Sequence, residues 1–200
     1  EIKRVARRVF DTAAAGNQVC VVVSAMGDTT DRLVELAREV SADPHPREMD
    51  MLLTAGERIS MALVSMAIND LGLDAASFTG SQAGIVTDTT HGKAKIVEMR
   101  RGRVHEALEQ GKVAIVAGFP GVSTDKAVTT LGRGGSDTSA TALGAALGAE
   151  RIEIWTDVDG IHARDPRLDR SSPVLARVDY DTAERMALSG ARVLHAKAVT

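Results

Sequence analysis

Three glycines fall within four positions of Thr129-Thr130-Leu131-Gly132-Arg133-Gly134-Gly135-Ser136-Asp137-Thr138-Ser139-Ala140, and an arginine stands among them. Glycines let a backbone come close to a ligand and take positive φ. Where such a turn opens a helix, the backbone N–H groups that have no helical partner form an anion site. Arg133 adds a fixed cation with a fork matched to carboxylate or phosphate. Ser136 or Asp137 can cap the helix that follows. A tight turn with a helix cap would account for the glycines, but Arg133 adds a cation that such a turn does not need, and Asp137 at the helix start has no obvious core role. The spacing is neither the Walker A loop nor the Gly-x-Gly-x-x-Gly of a dinucleotide fold.

Three more stretches hold reactive residue types. Ile154-Trp155-Thr156-Asp157-Val158-Asp159-Gly160-Ile161-His162-Ala163-Arg164-Asp165-Pro166-Arg167 places polar residues beyond an expected strand, which is where open α/β sheets bind ligands. Its Asp and Gly residues are also ordinary turn formers, and it lacks the later ligands of a calcium loop. Leu52-Leu53-Thr54-Ala55-Gly56-Glu57-Arg58-Ile59-Ser60 sets an acid and a base in an apolar helix. A Glu-Arg pair on a helix is commonly a solvated face, but Gly56 weakens a helix interior by roughly 1 kcal/mol relative to Ala and hints at a close neighbour. Ser24-Ala25-Met26-Gly27 supplies a hydroxyl after a buried strand.

The elements that must hold these groups alternate between short β-branched runs and longer helical patterns. That is an α/β protein on a mostly parallel sheet. Strands are expected at 19–23, 75–78, 96–99, 113–117 and 152–155. Helices are expected over the first 15 residues, from about 33 to 40, from 49 to 71 with an interruption near Gly56, and from 140 to 147. Pro44-His45-Pro46 reads as a linker. The 200 residues carry 24 Lys plus Arg against 27 Asp plus Glu, a net charge of −3 with both signs scattered. Nucleic-acid binding needs a clustered basic excess and stacking aromatics, and this chain has neither. No uninterrupted apolar run reaches the roughly 20 residues that cross a bilayer. The lone Cys20 fits a reducing, cytoplasmic compartment and reads as a core residue.

Taken in order, Val21-Val22-Val23-Ser24-Ala25-Met26-Gly27-Asp28-Thr29-Thr30-Asp31, the Leu52 to Ser60 stretch, Phe78-Thr79-Gly80-Ser81-Gln82-Ala83-Gly84, the glycine-rich turn, the Thr156 to Arg167 loop and Gly190-Ala191-Arg192-Val193-Leu194-His195 resemble the catalytic domain of the aspartate kinases, in the amino-acid kinase superfamily. The resemblance runs over nearly the whole chain. It implies a three-layer αβα sandwich with a mostly parallel central sheet. It also implies transfer of the γ-phosphoryl group of MgATP to the side-chain carboxylate of L-aspartate, the first step toward lysine, threonine, methionine and isoleucine. Carried over by residue, Arg133 pairs with the substrate α-carboxylate and Glu57 with its α-ammonium, while Ser24 and Thr30 line the pocket. Asp137 organises the cations around the transferring group, and the backbone of Gly134, Gly135 and Ser136 orients it. Thr156, Asp157, His162, Arg167 and Arg192 take the nucleotide positions. ATP, with its Mg2+, is the expected cosubstrate, since no His-Glu-x-x-His spacing offers a zinc site. The family's habit implies a homodimer, with no nucleic acid and no membrane as partner.

Departures are equally specific. The family opens on Lys-Phe/Tyr-Gly-Gly-Thr/Ser-Ser, whose lysine is a principal cation. That segment is not in this sequence, and Lys3, in a helical pattern, does not replace it. His162 stands where Tyr or Phe is common, Arg192 where Lys is common, and Ala196-Lys197 where Pro-Arg is usual. The expectation is therefore residues 1–200 as one partial catalytic domain truncated at both ends, without C-terminal strands or regulatory ACT domains. Kinases of the same fold that act on acetylglutamate, glutamate, carbamate or uridylate remain open alternatives. So does a non-catalytic amino-acid or nucleotide sensor.

Overall fold

The structure, a computed structural model, describes residues 1–156, 158–165, 168–189 and 198. In chain order these form α1 (Ile2–Ala14), β1 (Cys20–Val23), α2 (Thr29–Val40), α3 (Pro46–Asn69), β2 (Ala75–Phe78), β3 (Ile85–Thr87), β4 (Ile96–Met99), α4 (Gly102–Glu109), β5 (Val113–Ala117), β6 (Pro120–Ser123), β7 (Val128–Thr130), α5 (Gly135–Leu147) and α6 (Tyr180–Leu188). Every residue of β5 is buried, so this strand is covered on both faces. Its side chains alternate with the pleat. Val113 and Ile115 join Ala6 and Val9 of α1 and Val64 and Ile68 of α3. Ala114 and Val116 join Val104 and Leu108 of α4 and Leu143 of α5. Helices thus lie on both sides of the sheet, as expected for an αβα sandwich.

Strands β1 and β2 flank β5, both parallel to it, with Cys20 opposite Ala114 and Ala75 opposite Val113. Because the three run the same way, their C-terminal ends share one edge, and Ser24, Thr79 and Gly118 follow there. A second sheet, in the order β4-β3-β6-β7, is mixed: β3 pairs parallel with β6, while β4 and β7 pair antiparallel at its two ends. Its last strand, β7, delivers the chain to the glycine-rich turn.

Several expectations need correction. Residues 152–155 form no strand among the described residues, and Ile152 and Trp155 are 42% and 52% exposed. A β-branched run becomes a strand only where a ladder partner is in reach. Here Ile152 instead lies over Gly144 of α5, where it fills the space a Cβ would take. Helix α3 runs unbroken through Gly56 and begins at Pro46. Proline suits the first helical position because its missing N–H would lack a partner there, so Pro44-His45-Pro46 is a helix start rather than a linker. By length and composition α3 could cross a membrane, yet it packs against α1, β2 and β5. Its inner face is polar in its first half, with Asp50, Thr54, Glu57 and Ser60 buried, and apolar further on at Val64 and Ile68.

Candidate functional site

Glu57 sits in the polar half of α3 and is 4% exposed. Its Oε1 accepts the backbone N–H of Ala25 at 3.1 Å. Its Oε2 has no partner among the described residues. Burial holds the carboxyl above its ordinary range, and the Ala25 N–H opposes that shift. The close approach of the 24–29 segment depends on Gly56: a Cβ there would stand 2.7 Å from Cβ of Ala25. A Glu-Arg pair on a helix is commonly a solvated face, yet Glu57 turns inward while Arg58 is exposed.

The same segment is tied to the glycine-rich turn. Ser24, just past β1, donates from Oγ to Oγ of Ser136 at 2.7 Å. Gly134 takes the left-handed conformation, φ 71°, as N-cap of α5, with no side-chain cap. The cap position falls on Gly134 rather than on Ser136 or Asp137, contrary to the sequence expectation, because a left-handed glycine already turns the chain into the helix. Gly135 N–H is satisfied by Gly132 O at 3.0 Å, and Thr138 N–H by Gly134 O at 3.0 Å. The N–H of Ser136, two positions past the cap, has no acceptor among the described residues and is a donor for an anion. Asp137 lies in the first turn of α5. Arg133 is exposed at the tip of the turn and forms no ion pair among the described residues. Thr30 is half-buried in the first turn of α2.

The stitching brings Ser24, Glu57 and the turn bearing Arg133, Gly134, Gly135, Ser136 and Asp137 to one edge of the sheet. What gathers there, among the described residues, is a carboxylate oxygen without a hydrogen-bond partner, a guanidinium without an ion pair and one free N–H donor. Such a site can hold a zwitterion by both ends and accept a further anion. Cys20 takes no part: burial pushes its thiol up to about 12, which leaves no thiolate at neutral pH.

In the segment that the resemblance assigns to the nucleotide, Ile154, Trp155, Thr156, Val158, Asp159, Gly160 and Ile161 line a cavity of about 420 Å³. Thr156 is among its walls; His162 is not. The His162 ring is held from both sides, with Nδ1 2.8 Å from Ser172 O and Nε2 2.8 Å from Asp159 Oδ1. It anchors the segment at an isolated bridge to Val174. Asp157, Arg167 and Arg192 lie outside the described residues. Among the described residues no group of three or more His, Cys, Asp or Glu could hold a metal ion.

Asp50 escaped the sequence reading. It is buried and accepts hydrogen bonds from Thr130, His91 and Gly92. The available signal was its place on the face of α3 shared by Thr54 and Glu57, where an apolar helix should be dry.

Residues 1–200 match the family model described as the Amino acid kinase family. An aspartokinase of Mycolicibacterium smegmatis is 59% identical over 199 residues, covering 99% of this chain and 47% of that protein. The crystal structure of aspartate kinase from Synechocystis aligns with a TM-score of 0.83 at 46% identity, over 99% of this chain and 33% of that one. E. coli aspartokinase III, in complex with aspartate and ADP, aligns with a TM-score of 0.85 at 26% identity, over 97% of this chain and 55% of that one. The chain spans about half the length of the curated relatives it matches. With a family match along its entire length and a sandwich fold built around the motifs that suggested it, the chain belongs to the amino acid kinase family.

Proposed function

We propose that this chain is the catalytic portion of an aspartate kinase, which transfers the γ-phosphoryl group of MgATP to the side-chain carboxylate of L-aspartate and yields 4-phospho-L-aspartate. The observation that carries the reading is Glu57: a carboxylate oxygen, buried and unpartnered, that an α-ammonium would satisfy in both charge and hydrogen bonding. Arg133 takes the α-carboxylate, and Ser24 and Thr30 line the pocket between. The solved relative that binds aspartate and ADP supports both substrates.

Carboxylate and triphosphate repel one another, so the site must supply oriented donors and positive charge. The N–H of Ser136, with the backbone of Gly134 and Gly135, orients the transferring group. Asp137 organises the cations beside it. A β-carboxylate oxygen of aspartate forms the new bond to γ-phosphorus, while the bond to the β,γ-bridging oxygen breaks and its electron pair leaves on ADP. No covalent enzyme intermediate is needed. Thr156, Asp157, His162, Arg167 and Arg192 serve the nucleotide. Magnesium belongs to the nucleotide substrate, held by phosphate oxygens and water, and neutralises charge there. Cytoplasmic location and dimer formation complete the proposal.

The test offers MgATP with L-aspartate or N-acetyl-L-glutamate to the native full-length polypeptide and traps acyl phosphate as hydroxamate. Aspartyl hydroxamate is the expected product. N-acetylglutamate has no ammonium and would leave Glu57 Oε2 unpaired, so a preference for it overturns the acceptor. ATP binding without acyl phosphate from either acceptor would instead favour a non-catalytic homologue. Arg133→Ala should weaken aspartate binding by about 2–5 kcal/mol, the range for a charged group that loses its partner, as read by calorimetry.

A further inference from the structure

Asp50 lies two turns before Glu57 on α3 and is 1% exposed, yet both its oxygens are engaged. Oδ1 accepts from Thr130 Oγ1 at 2.5 Å and from Gly92 N at 3.0 Å. Oδ2 accepts from His91 Nδ1 at 2.5 Å and from Gly92 N at 3.2 Å. A buried ion is weak ground for stability, because apolar residues of similar volume commonly serve as well. What distinguishes this one is what it grips. Thr130 is the last residue of β7, two before Gly132. Its carbonyl accepts from Ala94 N at 2.9 Å, and a Cβ on Gly132 would stand 3.0 Å from Gly92 O. The turn holding His91 and Gly92 therefore braces the approach to the glycine-rich bend, and Asp50 clamps both to α3. Beyond the bend, the Ser24–Ser136 bond pins the far side. Arg133 sits between two fixed ends.

We propose that Asp50 is a positioning residue for the amino-acid pocket. Through Thr130 and Gly92 it sets Arg133 at a fixed reach from Glu57, so that one helix defines the spacing between the carboxylate-binding and ammonium-binding groups. This rests on the aspartate kinase reading and adds to it a determinant that touches no substrate.

The test is steady-state kinetics on the native full-length enzyme with Asp50→Asn, Thr130→Val and Thr130→Ser. Asparagine keeps the shape, but its NH2 cannot accept where a carboxylate oxygen did. Valine is nearly isosteric with threonine and lacks the hydroxyl; serine keeps it. Misplacement of a binding group by about an ångström can cost up to 10²-fold, so KM for aspartate should rise on the order of tenfold or more in Asp50→Asn and Thr130→Val. KM for ATP should stay within about twofold, as expected when only one subsite is disturbed, and Thr130→Ser should restore the wild-type KM for aspartate. An unchanged KM for aspartate with a lower melting temperature would make Asp50 a structural residue and overturn the proposal. Equal rises in both KM values would overturn it as well. Should Asp50→Asn fail to fold, the Thr130 pair decides alone. If the wild-type enzyme uses another acceptor, the aspartate reading fails, and the same comparison on that acceptor's KM still judges Asp50.

Discussion

Burial pushes the Glu57 carboxyl above its ordinary range, and that shift has a sign for stability. A folded-state pKa above the unfolded one means that folding favours the neutral acid. Stability is then lost as pH rises from the ordinary carboxylate range, about 4.3, through the raised folded value. Glu57→Gln removes the charge, so at neutral pH the ligand-free protein should be stabilised by about 1 kcal/mol, or some 2–4 °C in Tm for a chain of this size. Aspartate affinity should fall sharply in the same variant, because the amide offers the ammonium no charge. Scanning calorimetry and titration calorimetry read the two effects, and a lower Tm would mean that the carboxylate already serves a structural cation. His162 shifts the same way, upward, but here folding favours the charged form, and stability is again lost as pH rises. Its two ring nitrogens face Asp159 Oδ1 and Ser172 O; both can donate only in the imidazolium form. Its pKa is raised, first by Asp159 and then by the Ser172 carbonyl, while that of Asp159 is lowered by His162. The clasp is therefore complete between the ordinary values of about 3.9 for Asp and 6.5 for His. It weakens as pH rises through the folded value of His162, or falls through that of Asp159. NMR titration should place His162 above about 6.5, and Asp159→Asn should lower it.

At the scale of elements, α3 contributes most to the site, and Gly56 is where its propensity and its task conflict. Alanine there would gain roughly 1 kcal/mol of helix propensity, but its Cβ would meet that of Ala25 at 2.7 Å and Cγ2 of Thr29 at 3.5 Å. Gly56→Ala should push the 24–29 segment off the helix and lengthen the Ala25–Glu57 bond. The expected result is a loss of kcat/KM for aspartate of about tenfold or more, with helical circular dichroism unchanged; full activity would mean that the segment can shift freely. Sequence patterning made much of this scaffold legible. β2, β4 and β5 lie at their expected bounds: β5 is a continuous apolar run, and β2 and β4 are short runs, each broken by one polar residue, Ser77 and Glu98, between turn signals. β3, β6 and β7 were missed: they are three or four residues long, and Pro120-Gly121 and Val128-Thr129-Thr130 show no alternation to read. The parallel pairing that joins them is distant in sequence, with Val86 of β3 opposite Val122 of β6. Asp50 was hidden for the same reason: its donors come from residues 91, 92 and 130, and an acid on a helix is by default a solvated one. The glycine-rich turn was visible because its chemistry is local, compressed into consecutive residues.

Over the whole molecule the two halves of the proposed site are held very differently. The amino-acid half is tied to β1, β7, α3 and α5, and two apolar clusters pack on opposite faces of β5 behind it. The proposed nucleotide half, over the described residues of 154–175, is joined by the His162 clasp, an isolated bridge to Val174 and the bonds from Arg164 N to Ser172 Oγ and from Ala163 N to Pro173 O. Trp155, Val158, Leu168 and Val174 are exposed there, and α6 beyond it buries none of its residues. Segments with few buried apolar contacts open at free energies far below that of global unfolding. Amides of 154–165 should therefore exchange with solvent well before those of β5, and MgADP should slow them by adding contacts that only the closed segment can make. Trp155 gives a direct optical reading, since it is the one tryptophan in the chain and lines the cavity. Its emission should shift on titration with MgADP and stay unchanged with aspartate alone, because the proposed aspartate site, Glu57 and Arg133, lies on elements that Trp155 does not join. An equal shift with aspartate alone would place the 154–162 segment in the amino-acid half and remove the division of labour between a rigid acceptor pocket and a nucleotide-ordered wall.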